Sequence, residues 1–241
     1  LFAGLKSGWQ ARLRPEHTGI RRDIAVFLSG FTLATLAGLL PEAWQAIRML
    51  IAMVLVIGYF MYLLATIRAS QKLVADGHGT ESDQELYAAR LLAASPLIAI
   101  LQLAIGLVML IGGARMFVGG AASLSELLGV SALVISLLII PIATELPEKV
   151  NSVIWIRRRK DTLAFGNITG AMVFQGTIIP ALGMLLMPWH FDSAHAYVSV
   201  MLALAGSAWL WFLTSRHRIT PANLMVNAAL YGVFIVYVLL A

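Results

Sequence analysis

An all-α polytopic membrane protein with about seven transmembrane helices is the fold class this chain predicts, and three observations predict it. Sixty per cent of its 241 residues are hydrophobic and only 12% are charged, about half the charge of a soluble domain; the mean hydropathy is +0.86. The apolar residues gather into stretches of the length a bilayer-crossing helix needs. The basic residues sit in short clusters that flank those stretches, where they orient a membrane protein. The pI of about 9.8 therefore reports membrane topology, and nucleic acid is not an expected partner. Zero cysteines exclude disulfides, thiolate metal sites and cysteine nucleophiles.

The spans fall at 23–41, 44–67, 95–118, 130–156, 163–187, 195–214 and 221–241. Residues 1–67 are a basic segment plus two spans. Residues 68–94 are a polar linker running through Asp76, His78, Glu81 and Asp83. Residues 95–241 are a five-span unit. Fourteen of the seventeen Lys and Arg fall on one side under this alternation, in groups around Arg12–Arg22, Arg68–Arg90, Arg157–Lys160 and Arg216–Arg218; Arg48, Arg115 and Lys149 are the exceptions. The shared side is expected to be cytoplasmic. That makes this a multi-pass protein of the cell or inner membrane, with residue 1 and the linker inside and Ala241 outside. The six tryptophans lie mainly near span ends, as interfacial anchors do.

The fourth span carries Pro141, Thr144, Glu145, Pro147, Glu148 and Lys149. A charge at the centre of an inserted helix costs roughly 2.5–3.5 kcal/mol, so acids there point to cation handling. Each proline frees the carbonyl four residues back, at Leu137 and Ala143, and unpaired carbonyls at that depth are tolerated where they line a cavity or are buried in protein. Broken helices near the midplane are a common way to build ion sites. Thr144 and Glu148 share a face at spacing four, and Glu145 and Glu148 are neighbours at spacing three. In the fifth span, Gly166 and Gly170 form a G-x-x-x-G pair suited to close packing, while Asn167, Thr169, Gln175 and Thr177 add oxygens. Calcium takes six to eight oxygens, so Glu148, Thr144, Gln175, Glu145 and Asn167 supply only part of a closed site.

Leu128-Gly129-Val130-Ser131, then Ala143-Thr144-Glu145-Leu146-Pro147-Glu148, then Gly166-Asn167 through Gly170 to Phe174-Gln175 resembles the second α-repeat of the sodium/calcium exchanger (cation/calcium antiporter) superfamily. The family pattern is L-G-V-S…G-T-S-L-P-E followed by G-N-x-x-G-S-N-I-F-N, and the motifs cover residues 127–183. The resemblance implies a ten-helix fold of two inverted five-helix repeats, of which this chain would hold the last seven helices. The missing three would carry the first α-repeat and its own acidic ligand, and Leu1, which is not an initiator methionine, fits a fragment edge. Glu148 stands at the family's essential glutamate, Thr144 at a ligand threonine and Gln175 at a ligand Asn or Asp. Three positions depart from the pattern: Glu145 and Ala171 replace serines, and Lys149 replaces an apolar residue.

Glu145 and Lys149, at i and i+4 in the favourable order, are either an ion pair, or a ligand beside a fixed positive charge standing in for a coupling ion. The expected function is secondary active antiport of Ca2+ or a similar cation against Na+ or H+ by alternating access. Two nearby carboxylates in low dielectric cannot both stay charged and empty, so a cation or proton occupies the site at each stage. The ligands are the transported cations, with no cofactor; the partners are the lipid bilayer, inorganic cations and the missing N-terminal repeat. A non-transporting half-protein or membrane scaffold is the alternative. An intramembrane enzyme fits less well, because His17, His78, His190, His195 and His217 all read as loop residues.

Overall fold

The computed structural model describes residues 8, 16–75, 95–129, 135, 137, 144–158, 160–191 and 193–240. Their regular structure is helical throughout: α1 His17–Gly38, α2 Gln45–Ala75, α3 Pro96–Leu128, α4 Leu146–Arg157, α5 Asp161–Leu186, α6 Ala194–Ser215 and α7 Pro221–Leu240. The chain divides into two compact units, one of Leu1–Arg68 with Thr144–Ala241 and one of Ala69–Ala143.

In the larger unit, α1 starts where the Glu16 carboxylate accepts from the Thr18 and Gly19 N–H groups at 2.7 and 2.6 Å, satisfying two of the donors a helix start leaves open. The Glu16 N–H in turn donates to Thr162 Oγ1 at 3.0 Å, so α1 and α5 begin at the same end of the bundle. His217, just past α6, stacks edge-on against His17 with ring centroids 4.3 Å apart. The starts of α1 and α5 and the end of α6 therefore share one end, and with them the basic groups around Arg21, Arg157 and Arg216.

At the opposite end α1 turns through Pro41 and a short 3-10 turn, Glu42–Trp44, into α2. Arg48 is only 3% exposed. Its guanidinium donates to the carbonyls of Ala37 at 3.2 Å, Glu42 at 3.3 Å and Leu40. These carbonyls lie at or beyond the end of α1, where the helix offers them no internal partners. Burial of this exceptional arginine is thus explained by capping. Trp189 Nε1 donates to the Ala34 carbonyl at 3.0 Å, and its ring lies where a Cβ on Gly183 would sit, at 2.4 Å. Trp189, half-buried just past the end of α5, thus ties that end to α1.

The core is built on the seam between α1 and α5. Val173 is fully buried and packs with Phe27 and Tyr62. Backbones approach closely at Gly30 and Gly176: an added Cβ would lie 2.6 Å from Thr177 Cγ2 and 2.5 Å from Phe27 Cδ2 respectively. Among the described residues the expected close contact at Gly166 and Gly170 is not found; a Cβ at Gly166 meets none of them within 4 Å and one at Gly170 only the Tyr62 hydroxyl at 4.0 Å. Pro180 stands inside α5 and removes the donor that would have met the Gly176 carbonyl. Buried Thr177, Thr214 and Ser207 donate to carbonyls four residues back at 2.6, 2.8 and 2.7 Å, so these hydroxyls need no polar neighbour on another helix. α6 and α7 are pinned by Asn227 Nδ2 donating to the Gly206 carbonyl at 3.0 Å.

In the second unit, α3 opens with Ser95 accepting from the Ile98 N–H and Pro96 in the first turn, and ends at Gly129 in the left-handed region, φ 64°. Its 33 residues extend ten beyond the expected span end at 118. Glycines at 112, 113, 119 and 120 do not interrupt it. Each costs only about 1 kcal/mol in a helix, and in an apolar medium the backbone has no other partner.

Among the described residues, five helices are long and apolar enough to cross a membrane: Glu42–Gln71, Pro96–Leu128, Asp161–Leu186, Ala194–Ser215 and Pro221–Leu240. Two expected spans differ. α1 has 22 residues but begins six residues before the expected boundary and carries Arg21, Arg22 and Asp23. Of the span expected at 130–156, only the 12-residue α4 and isolated positions are described; Pro141 and the Ala143 carbonyl lie outside the described residues.

Candidate cation site

The break expected in the fourth span is present beside Pro147. Thr144 is helical, Glu145 turns out of the helix at φ −93°, ψ 0°, and α4 restarts at Leu146 with Pro147 in its first turn. A proline suits that place because its missing N–H would have been unpaired there anyway. The Glu145 carbonyl still accepts from the Lys149 N–H at 3.0 Å. Glu148 therefore stands in the first turn of a new helix, where the positive end of the helix dipole favours a carboxylate.

α4 packs antiparallel on α5. Ser152 Oγ donates to the Ala164 carbonyl at 3.3 Å, and Asn167 Nδ2 donates to the Glu148 carbonyl at 3.2 Å. The Asn167 bond braces the backbone under Glu148 and uses a donor, leaving the amide oxygen available to a cation. Glu148 itself is half-buried. Its Oε2 is buried without a hydrogen-bond partner among the described residues, which is costly for a carboxylate oxygen.

Glu145 and Lys149 form an ion pair, Nζ to Oε2 3.0 Å, with side chains 42% and 54% exposed. The pair exists, so the first of the two sequence readings describes the geometry present, although the pair is not a buried one. Thr144 is exposed. Gln175 is also exposed and lies eight residues beyond Asn167, about 12 Å further along α5. The structure thus joins Asn167 to Glu148 and Glu145 to Lys149, and among the described residues it brings Gln175 into no contact with Glu148.

Asp23 was missed in the sequence. It is 5% exposed, accepts from Thr169 Oγ1 at 2.7 Å and pairs with Arg22 at 3.1 Å. This ties α1 to α5 two residues beyond Asn167. The only trace in the sequence is an Arg-Asp step at a span border. Two of the histidines read as loop residues open helices instead, His17 in α1 and His195 in α6. Among the described residues, no three of His, Cys, Asp and Glu come together as a metal site.

A family model described as sodium/calcium exchanger protein matches residues 98–240. The chain belongs to the sodium/calcium exchanger family. The match runs through the break at Glu145 and both packed helices of the candidate site. Relatives include "Putative antiporter CaxA" of Alkalimonas amylolytica, 31% identical over 58% of this chain and 44% of its own length. "Inner membrane protein YrbG" of Escherichia coli is 32% identical over 44% of this chain and 35% of its own length. "Sodium/calcium exchanger MaX1" of Methanosarcina acetivorans is 33% identical over 36% of this chain and 25% of its own length. The chain spans less than half the length of each of these relatives. No solved structure matches it. Family and apolar helices together make this a multi-pass integral membrane protein of a transporter family.

Proposed function

We propose that the protein is a secondary active cation antiporter that exchanges Ca2+ or a similar cation for Na+ or H+, with Glu148 as the key ligand. The observation that carries this reading is the Glu148 carboxylate: it stands in the first turn of α4, braced from α5 by Asn167, with one buried oxygen that has no donor among the described residues. A cation or proton at that oxygen removes the cost of burial. When one ion leaves, another must replace it, and this requirement couples the two fluxes. Family membership supports the reading.

Asn167 and Thr144 supply neutral oxygens, Gln175 serves a deeper position along the same pathway, and Glu145 adds negative charge near the entrance. A further repeat, of the kind the longer relatives have room for, completes the shell. The shared end of α1, α5 and α6 faces the cytoplasm, in keeping with its basic residues. Glu148→Gln keeps the size and removes the charge. In the full-length protein reconstituted into proteoliposomes it abolishes cation exchange while leaving insertion and folding intact. Flux equal to the parent's refutes the assignment.

A further inference from the structure

A basic cleft lies at the end of the bundle where α1 begins and α6 ends, well away from Glu148 in sequence and on other helices. It encloses about 460 Å³ and is lined from α1 by His17, Thr18, Arg21 and Arg22, and from the end of α6 and the turn after it by Ser215 and His217. Three polar atoms of these residues, His17 Nδ1, Arg22 Nε and Ser215 Oγ, are buried without a hydrogen-bond partner among the described residues. Unpaired buried polar groups are uncommon and call for an explanation.

The nearby acids do not supply one. The Glu16 carboxylate is turned to the Thr18 and Gly19 N–H groups. Asp23 takes Arg22 Nη2 and Thr169, leaving Arg22 Nε. Arg21 has no carboxylate partner among the described residues, and Arg216 and Arg218 of the following turn add positive charge. The cleft therefore combines cationic groups, two imidazoles and a hydroxyl, with donors in excess of acceptors.

We propose that this cleft binds a phosphate group of net negative charge, as in an anionic phospholipid and unlike phosphatidylcholine, whose choline offsets its phosphate. A phosphate offers acceptor oxygens to a guanidinium fork, imidazole N–H and hydroxyl donors together. A phospholipid headgroup is its natural source: α6, a helix long and apolar enough to span a membrane, ends at Ser215 on the rim, so the cleft sits at the depth of lipid phosphates. The inference is independent of which cation is carried.

Binding should strengthen on acidification. Burial, and secondarily the neighbouring His217, hold the His17 pKa below the ordinary imidazole value, with Glu16 opposing. The empty cleft therefore keeps His17 neutral near pH 7. A bound phosphate reverses that balance, and lowering the pH through the ordinary imidazole range supplies the missing donor proton. The linkage for the empty state has the opposite sign. With its folded pKa lowered, His17 contributes stability that is full above about pH 6.5 and falls as the pH drops below it.

The test uses full-length protein in nanodiscs of phosphatidylcholine alone or with phosphatidylglycerol, and in detergent with inorganic phosphate. Arg21→Gln is paired with His217→Asn; His217 has φ 52°, a left-handed conformation that Asn adopts readily. The parent should melt higher with phosphatidylglycerol, and more so at pH 6 than at pH 8, and the double variant should lose most of that increment. An increment from inorganic phosphate that the variant also loses supports the site with a soluble phosphate as its source. The proposal is overturned if the double variant, with a parental melting temperature in phosphatidylcholine, keeps the full increment, or if neither phosphate source shifts the parent.

Discussion

Replacing Arg48 with methionine should destabilise the protein while preserving volume and apolar stem. In the structure the guanidinium serves three carbonyls and the Gln45 amide oxygen, 3.5 Å away. The carbonyls are not equally dependent on it. Ala37 also accepts from the Leu40 N–H at 3.4 Å, so the main loss falls on Leu40 and Glu42. A fully buried acceptor left unpaired costs about 1–3 kcal/mol; the Leu40 and Glu42 bonds are only part-buried, so the expected loss is about 1–2 kcal/mol. Arg48→Lys keeps the charge but offers a point donor in place of a fork, and should recover about half. Thermal melting of the purified full-length protein, followed by size-exclusion fluorescence, gives the order parent, lysine variant, methionine variant. If the methionine variant melts with the parent, the turn carbonyls are satisfied by water and the capping account is wrong.

Gly176→Val should lower stability by about 1–3 kcal/mol or more through overpacking, because its Cβ would lie 2.5 Å from the Phe27 ring; Gly58→Ala, where a Cβ meets open space, should be neutral or stabilising, and equal effects at the two glycines would refute the seam. Glu145→Gln should cost only about 0.3–0.5 kcal/mol, as expected for an exposed i,i+4 pair. Any change in ion affinity or coupling that it causes, and that Lys149→Met does not repair, marks Glu145 as a ligand; unchanged flux in both single variants removes both residues from transport.

The helical membrane architecture was legible from composition because a bilayer imposes it: backbone polar groups in hydrocarbon must pair within their own segment. The break at Glu145 was legible too, since the backbone consequence of proline is local. The family motif was readable for a related reason: it is a short run of residues around one helix restart, and a model of the family matches over it. The packing was less accessible. Gly166 and Gly170 carry the familiar spacing, yet the close approach occurs at Gly30 and Gly176, which are 146 residues apart and belong to no common pattern. Spacing along one helix tells where a helix could be approached, not by which partner.

Chain chemistry by itself determined the class of molecule, the helix restart and the one spacing that became a local pair, Glu145 with Lys149. It also sorted the basic groups by alternation, and Arg21, Arg157 and Arg216 do share one end of the larger unit. Tertiary structure alone decided what depends on distant contacts. It set Asn167 under Glu148, joined Asp23 to Thr169, turned Arg48 into a helix cap and brought His17 against His217. The physical reason is the same in each case. Hydrophobicity and backbone geometry act over a few residues and can be read in order, whereas hydrogen bonds between helices depend on which faces meet, and packing chooses those faces.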